Sequence, residues 1–221
     1  MSSNKPDTLV YLVDDEFVVR DSLTLLIEST GQTVRSFESA EAFLNNYNPE
    51  QLGCLLLDVR IPSMSGLQLQ EELLKKGITI PIIFISGNAR VIDSAKAFRA
   101  GAVDFLEKPF DNEILLERIE EAIKKDIASR EQLIENRKIQ KRLDHLTARE
   151  QEVLSLIVSG HPNKDTARIL NISNRTVEVH RARIMEKMQA ESLAELIRMA
   201  AQCELLNDTT RRIILSSAAR A

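Results

Sequence analysis

The residues Cys54–Asp58, CLLLD, decide the fold, because four apolar residues end abruptly in a carboxylate. A short run without polar positions is typical of a strand buried on both faces of a parallel sheet. Residues 80–85, IPIIFI, form a second run of this kind. Between the two runs, leucines recur at helical spacing, at Leu67, Leu69, Leu73 and Leu74. Strand therefore alternates with helix, which predicts a parallel sheet covered by helices on both faces.

The same alternation extends over the first 110 residues. Three further apolar runs have the length of strands: Leu9–Val13, Thr33–Phe37 and Val103–Leu106. Ser39 stands where a helix would begin, and Gly77 and Gly101 stand where helices would end. We therefore expect an α/β doubly wound parallel sheet of five strands in the N-terminal part of the chain.

The composition limits the possible functions. The chain has 221 residues, of which 43% are apolar and 4% aromatic, with no Trp. So few aromatic side chains argue against a protein that stacks on single-stranded nucleic acid. Two isolated cysteines, Cys54 and Cys203, suit a reducing compartment. The chain starts without the pattern of a signal peptide, and no apolar run is long enough to span a bilayer. We therefore expect a cytoplasmic protein with no membrane partner.

Charge is unevenly distributed along the chain. Residues 1–145 carry 18 Lys and Arg against 24 Asp and Glu, a net charge of −6, whereas residues 146–206 carry eight of each. Phosphate groups favour positively charged surfaces. A contact with nucleic acid is therefore expected in the C-terminal part of the chain.

Polar side chains stand at the carboxyl ends of four predicted strands, where doubly wound sheets bind their ligands. They are Asp14 and Asp15 after the first strand, Asp58 after the third, Ser86 after the fourth and Lys108 after the fifth. Three carboxylates at one sheet edge raise at least one pKa unless a cation compensates their charge. Oxygen ligands of this kind predict a divalent cation, Mg²⁺ or Mn²⁺ in its place.

The same residues can accept a phosphoryl group. Asp58 can serve as the nucleophile, since aspartyl phosphates are established covalent intermediates. Lys108 can neutralise one phosphoryl oxygen, and the Ser86 hydroxyl can donate a hydrogen bond to another. Each residue alone is a weak signal, because Asp, Ser and Lys are common after strands. The set is specific, because each member ends a different strand.

Four motifs resemble the receiver domain of bacterial two-component response regulators over residues 7–125: VDDE at 13–16, LLLDVRIPSMSG at 55–66, FISG at 84–87 and FLEKPF at 105–110. The resemblance implies a flavodoxin-like strand order of 2-1-3-4-5, with Asp58 as phosphoacceptor and with Ser86 and Lys108 as phosphoryl contacts. It implies metal ligation by Asp14, Asp15, Asp58 and the backbone carbonyl of Arg60. Phe105 falls at the position of the switch aromatic, where the family more often has Tyr.

A long helix is predicted after the receiver domain. Residues 113–143 contain neither Gly nor Pro and are rich in helix-forming residues, with Ile119, Ile123 and Ile127 on one stripe. We expect the last receiver helix to continue into a helical linker over residues 126–143. For residues 128–143 two interpretations remain open: a solvated spacer, or a helix that meets a second copy in a dimer.

The C-terminal part is predicted to be all-helical. Four helices are expected, at Ala148–Ser159, Asn163–Leu170, Asn174–Met188 and Ser192–Gln202. The second and third are joined by the short turn Asn171–Ser173, as in a helix-turn-helix that reads the major groove. In the third helix, Val177, Ile184 and Met188 share one face, so the opposite face is open. This small four-helix domain is expected over residues 144–206, and the tail, residues 207–221, is unassigned.

Residues 146–188, LTAREQEVLSLIVSGHPNKDTARILNISNRTVEVHRARIMEKM, resemble the LuxR-type DNA-binding domain, and the whole chain resembles a FixJ-type response regulator of the NarL/LuxR class. The resemblance implies that Thr176 and His180 face phosphates or brace the helix. Together with the open face, it gives the expected DNA-binding residues Arg175, Thr176, Glu178, Val179, His180, Ala182, Arg183 and Lys187.

The leading hypothesis is a transcription regulator, not an enzyme. A cognate sensor histidine kinase phosphorylates Asp58, the protein forms a homodimer, and it binds double-stranded DNA at paired half-sites, with RNA polymerase as a further partner. One alternative is a phosphorylation-independent transcription factor with a vestigial receiver. The other is an aspartyl-phosphate phosphatase, which normally needs a second Asp two residues after the nucleophile. Arg60 stands there and argues against it.

Overall fold

The computed structural model describes residues 7–87 and 91–202, which divide into two compact units between Arg130 and Glu131. The first unit alternates strands and helices: β1 Thr8–Val13, α1 Phe17–Glu28, β2 Thr33–Phe37, α2 Ala40–Asn46, β3 Leu52–Asp58, α3 Gly66–Lys75, β4 Ile82–Ser86, α4 Val91–Arg99 and β5 Asp104–Glu107. The long helix α5 is Asn112–Asp144, and α6 Ala148–Val158, α7 Asn163–Leu170, α8 Asn174–Met188 and α9 Leu193–Gln202 follow.

The sheet has the order β2-β1-β3-β4-β5, and every neighbouring pair is parallel. This confirms the predicted fold class and strand order. Successive residues of a strand point to opposite faces, so β3 contributes to two apolar layers. Leu55 and Leu57 pack with Tyr11 and Phe84 in one layer, whereas Leu56 packs with residues of α1 and α5 in the other. The apolar run is therefore buried on both sides, as expected of a central strand.

Strand and helix boundaries follow local chemistry. β4 begins at Ile82 rather than at the predicted Ile80, and Pro81 has no N–H to donate to the ladder, although its carbonyl accepts from Leu55 at 2.9 Å. Ser39 caps α2 as predicted, since its hydroxyl accepts from the backbone N–H of Ala42 at 3.1 Å.

The helix α5 contributes to both apolar cores. Ile119 and Ile123 are buried in the first unit, whereas Ile139 and Leu143 belong to the core of the second. Between them Leu133 and Ile134 are about half exposed. The expected linker over residues 126–143 is therefore helical, but its last turns are part of the second unit rather than a free spacer.

Within its described residues the second unit consists of helices joined by short turns and has no strand, as predicted. Val153, Ile157, Val177, Ile184 and Met188 form the centre of its core. Asn171 adopts a left-handed conformation (φ 51°) and ends α7, which lets α8 begin three residues later. The predicted domain end at 206 and the tail 207–221 lie outside the described residues. No helix within residues 7–87 and 91–202 is long and apolar enough to cross a membrane.

A buried carboxylate joins α5 to the start of β3. Asp126 is 3% exposed and accepts from the backbone N–H of Gly53 at 2.9 Å. Its partner Arg130, at 3.2 Å, also donates to the backbone carbonyls of Pro49 and Gln51. A side chain at Gly53 would collide with the carbonyl of Leu9, so the chain passes closely between β1 and this carboxylate. The cluster fixes the last receiver turns of α5 to the sheet.

Replacing Arg130 by Met should destabilise the first unit by about 3–5 kcal/mol, because it leaves the buried Asp126 carboxylate without a counter-charge. Lys124, which pairs with Glu120 on the surface, is the matched control; Lys124→Met should cost less than about 1 kcal/mol. Urea unfolding checks both values. Equal losses in the two variants would show that the cluster is no more important than a surface pair.

Candidate functional site

Three strand ends bring charged side chains together at one edge of the sheet. Lys108, after β5, places its Nζ 2.7 Å from Oδ2 of Asp14 and 3.2 Å from Oδ1 of Asp58. Both carboxylates are buried, with Asp14 at 0% and Asp58 at 6% exposure. Asp14 directly follows β1 and Asp58 ends β3, and these two strands are adjacent and parallel. The structure therefore brings together Asp58, Asp14 and Lys108, three of the residues that the sequence predicted for one site.

Backbone amides hold the same two carboxylates from the other side. The N–H of Arg60 donates to Oδ2 of Asp58 at 2.6 Å, and the N–H of Glu16 donates to Oδ1 of Asp14 at 2.9 Å. Each carboxylate thus has one oxygen on a backbone amide and the other on the ammonium of Lys108. Both rotamers are fixed by charge-assisted hydrogen bonds.

Ser86 ends β4 at the same edge. It is 1% exposed, and its carbonyl accepts from the backbone N–H of Lys108 at 2.8 Å. The preceding residue, Ile85, pairs with Asp58 in the β3–β4 ladder. The serine therefore lies one residue beyond the level of Asp58 on the neighbouring strand.

The acidic pair is split by burial. Asp14 points into the site, whereas Asp15 is exposed. Among the described residues, no group of three or more His, Cys, Asp or Glu side chains is arranged to hold a metal ion. Two buried carboxylates nevertheless converge on one positive charge, and oxygen donors of this kind fit a hard divalent cation that keeps several waters. The donor set is compatible with the expected cation.

The pKa values of the paired groups shift for different reasons. Burial raises the pKa of the Asp58 carboxyl above its usual range, and Lys108 and the Arg60 N–H offset only part of this effect. Burial lowers the pKa of the Lys108 ammonium, but hydrogen bonds and charges from Asp14 and Asp58 outweigh it, so the net shift is upward. The lysine is therefore held in its charged form beside Asp58.

The expected switch aromatic, Phe105, lies on β5. Its ring stacks on Phe84 of β4, with centroids 6.0 Å apart and an interplanar angle of 29°. The ring is half-buried and packs against the layer that contains Leu57. Here it faces the protein interior.

Sequence reasoning assigned no role to two residues that support the site. A side chain on Gly66, the first residue of α3, would collide with the carbonyl oxygen of Asp58. A glycine at the start of a predicted helix is a signal for such a close approach. Arg20 of α1 donates to the backbone carbonyl of Asp14 at 2.7 Å. Nothing in the spacing of the sequence predicts this second contact.

The second site is the surface of α8. Val177, Ile184 and Met188 are buried, which confirms the predicted inner face. Five of the expected DNA-binding residues are exposed on the same helix: Arg175, Glu178, Val179, Ala182 and Arg183. The hydroxyl of Thr176 forms a hydrogen bond with Ser173, the residue that caps the helix, at 2.8 Å. His180 is half-buried, with a buried Nδ1 to which no described residue hydrogen-bonds.

Lys187 differs from the other expected contacts, because its ammonium is used inside the unit. It lies 2.7 Å from Oε2 of Glu150, which is buried, and it also donates to the carbonyl of His145 at 3.3 Å. Glu150 closes the capping box of α6 with Thr147. This contact ties the last turn of α8 to the first turn of α6. A second brace, missed in the sequence, joins Arg181 to Asn163 of α7 at 3.1 Å.

The Glu150 contact predicts an acid-sensitive second unit. Burial alone would raise its pKa, but hydrogen bonds from Lys187 and Thr147 outweigh burial and lower the pKa from 4.5 to about 2. A depressed carboxyl pKa contributes stability above the unfolded value, and this stability is lost as pH falls from about 4.5 through 2. Urea unfolding between pH 7 and 2.5, followed by amide signals of α6 and α8, should show the loss.

The loss should be absent in Glu150→Gln, which has no carboxyl to titrate. Glu152→Gln, which removes a partly exposed pair with Arg149, should keep the wild-type pH profile. A profile that is the same for the wild type and Glu150→Gln would contradict the assignment.

Comparisons with known proteins identify both parts of the chain. Residues 10–120 match the family described as response regulator receiver domain, and residues 144–200 match the family described as bacterial regulatory proteins, luxR family. The first match includes all the strand-end residues of the first unit, and the second includes α6 to α8.

Similar proteins match along nearly the whole chain. The response regulator protein TmoT of Ectopseudomonas mendocina is 42% identical over 94% of this chain and 93% of its own. The transcriptional regulatory protein FixJ of Rhizobium meliloti (strain 1021) is 45% identical over 88% of this chain and 95% of its own. Among solved structures, that of the response regulator StyR superposes with a TM-score of 0.75 at 39% sequence identity. The match covers 89% of this chain and 100% of the StyR chain.

The domains, their order and these relatives agree with the resemblance drawn from the motifs. The chain therefore belongs to the response regulators of two-component systems, with a receiver domain followed by a LuxR-type DNA-binding domain, and it regulates transcription through phosphorylation.

Proposed function

We propose that Asp58 accepts a phosphoryl group from a sensor histidine kinase and that this modification increases DNA binding by the second unit. One observation carries the proposal: the Lys108 ammonium lies within 3.2 Å of Asp58 and within 2.7 Å of Asp14. A buried carboxylate with a charged donor at this distance has a partner for the oxygens of an incoming phosphoryl group.

The chain's own groups divide the work of the transfer. An oxygen of Asp58 attacks phosphorus, a new P–O bond forms, and the bond from phosphorus to the donor's leaving group breaks. The Arg60 N–H holds one Asp58 oxygen, and the other oxygen, 3.2 Å from the Lys108 ammonium, is the one that attacks. Lys108 and the Ser86 hydroxyl then stabilise the charge on the transferred group.

A divalent cation, Mg²⁺ or Mn²⁺, fits the acidic side of this site. Asp14, Asp15, Asp58 and the backbone carbonyl of Arg60 would hold it. When bound, it neutralises charge on the phosphoryl oxygens. Asp15 is exposed, so its carboxylate is accessible to a cation from solvent.

Treatment of the full chain with acetyl phosphate and Mg²⁺ should add one phosphoryl group, measured as the mass of the intact protein. Asp58→Asn should show no adduct, because the amide cannot serve as the nucleophile. Asp165→Asn, which changes a surface carboxyl of α7, is the control and should be modified like the wild type. An unmodified wild type would favour the alternative of a vestigial receiver.

On the DNA side, we propose that the open face of α8 enters the major groove, as a homodimer on paired half-sites, with RNA polymerase as a further partner. Arg175 and Arg183 supply positive charge, and Val179 and Ala182 offer small apolar contacts for thymine methyl groups. Thr176 and His180 act from the flank of the helix. Lys187 is better placed as a brace than as a DNA contact, because a buried carboxylate holds its ammonium.

Arg183→Ala should weaken operator binding by about 1–3 kcal/mol if its guanidinium reads a base. Arg137→Ala removes an exposed arginine of α5 and serves as the control, with little expected change. Titration of a DNA duplex at fixed salt measures both variants. Unchanged affinity in Arg183→Ala would remove this residue from the reading face.

A further inference from the structure

The backbone of Asp14 is held by an arginine that does not belong to the group of Asp14, Asp58 and Lys108. Arg20 lies in α1 and donates from Nη1 to the carbonyl oxygen of Asp14 at 2.7 Å. Its guanidinium carbon also lies 5.8 Å from the centre of the Phe17 ring, a cation–π distance. Two contacts thus fix the guanidinium between the end of β1 and the first turn of α1.

This carbonyl lies on the peptide that joins Asp14 to Asp15. The N–H of Asp14 is bonded to Phe37 of β2 at 3.2 Å, and its side chain to Glu16 and Lys108. The Asp14 carbonyl belongs to the peptide group that leads into Asp15. Because Asp15 is exposed, packing does not set its direction. The hydrogen bond from Arg20 fixes the plane of this peptide, and with it the starting direction of the Asp15 side chain.

We propose that Arg20 is a positioning residue for divalent-cation binding, acting through the Asp14 carbonyl rather than by touching the cation. This inference rests on the proposed function, since the cation is the one expected beside Asp58. The two possible effects of Arg20 have opposite signs. As a bare positive charge it would repel a dication, so its removal would tighten binding. As a positioning residue it would favour binding, so its removal would weaken it.

The test uses the full chain and Mg²⁺ alone, titrated by isothermal calorimetry. Arg20→Met should raise the Mg²⁺ dissociation constant about tenfold, the size of effect seen when supporting partners of a metal site are lost. Arg20→Gln, a neutral variant that keeps a donor, should bind more tightly than Arg20→Met. Arg35→Met removes a positive charge from the exposed side of β2 and should match the wild type.

Two further readouts separate positioning from a general loss of folding. The rise in melting temperature caused by Mg²⁺ should be smaller in Arg20→Met than in the wild type, whatever the melting temperature without the cation. Phosphorylation by acetyl phosphate should need about tenfold more Mg²⁺ for half its maximal rate, and the maximal rate should change little. A purely structural role would lower the melting temperature and leave the half-saturating Mg²⁺ concentration unchanged.

Unchanged or tighter Mg²⁺ binding by Arg20→Met would overturn the inference. If the wild type binds Mg²⁺ and forms the adduct while Arg20→Met behaves identically, the positioning role alone is wrong. If the wild type neither binds Mg²⁺ nor forms the adduct, both the proposed function and the positioning role of Arg20 are wrong.

Discussion

The receiver site depends on the ion pairs that the Lys108 ammonium forms with two buried carboxylates. The ammonium lies between the buried carboxylates of Asp14 and Asp58, which would otherwise repel each other at the edge of the sheet. Its position follows from topology, because parallel strands bring their carboxyl ends to one edge. Lys108 is also tied to β4 through its backbone N–H on Ser86. A phosphoryl group on Asp58 would also pair with the Lys108 ammonium. Phosphorylation would therefore change contacts at the ends of β4 and β5.

In the DNA-binding unit, one face of α8 is packed into the core while the opposite face stays exposed to solvent. Its core takes Val177, Ile184 and Met188 from α8. At the end of the helix, Lys187 meets the buried Glu150 and fixes α8 to the capping box of α6. Because the Glu150 carboxylate is buried and hydrogen-bonded, losing its partner Lys187 costs more than losing one partner of a surface pair. Positively charged and small residues remain outward.

Much of this could be predicted from the sequence, because apolar periodicity determines which strands are buried and strand ends determine where the site lies. Asp14, Asp58 and Lys108 were predicted together and lie together. What the sequence could not supply depends on three-dimensional approach. No sequence pattern predicts the hydrogen bond from Arg20 to a backbone carbonyl. Lys187 was predicted to face DNA, but its ammonium pairs with the buried Glu150, which is 37 residues away in the sequence. Helical periodicity predicted the helix α5, but it could not show that its two ends belong to different hydrophobic cores.

If Asp58 is the switch, phosphorylation of this residue must change the affinity of the chain for DNA. The most direct measurement is fluorescence anisotropy of one operator duplex, selected from random DNA, titrated with the same preparation before and after treatment with acetyl phosphate and Mg²⁺. Treatment should lower the dissociation constant at least about tenfold, or about 1.4 kcal/mol, and Asp58→Asn should show no change. Equal affinity before and after treatment, in a sample whose mass shows the adduct, would contradict this role of Asp58.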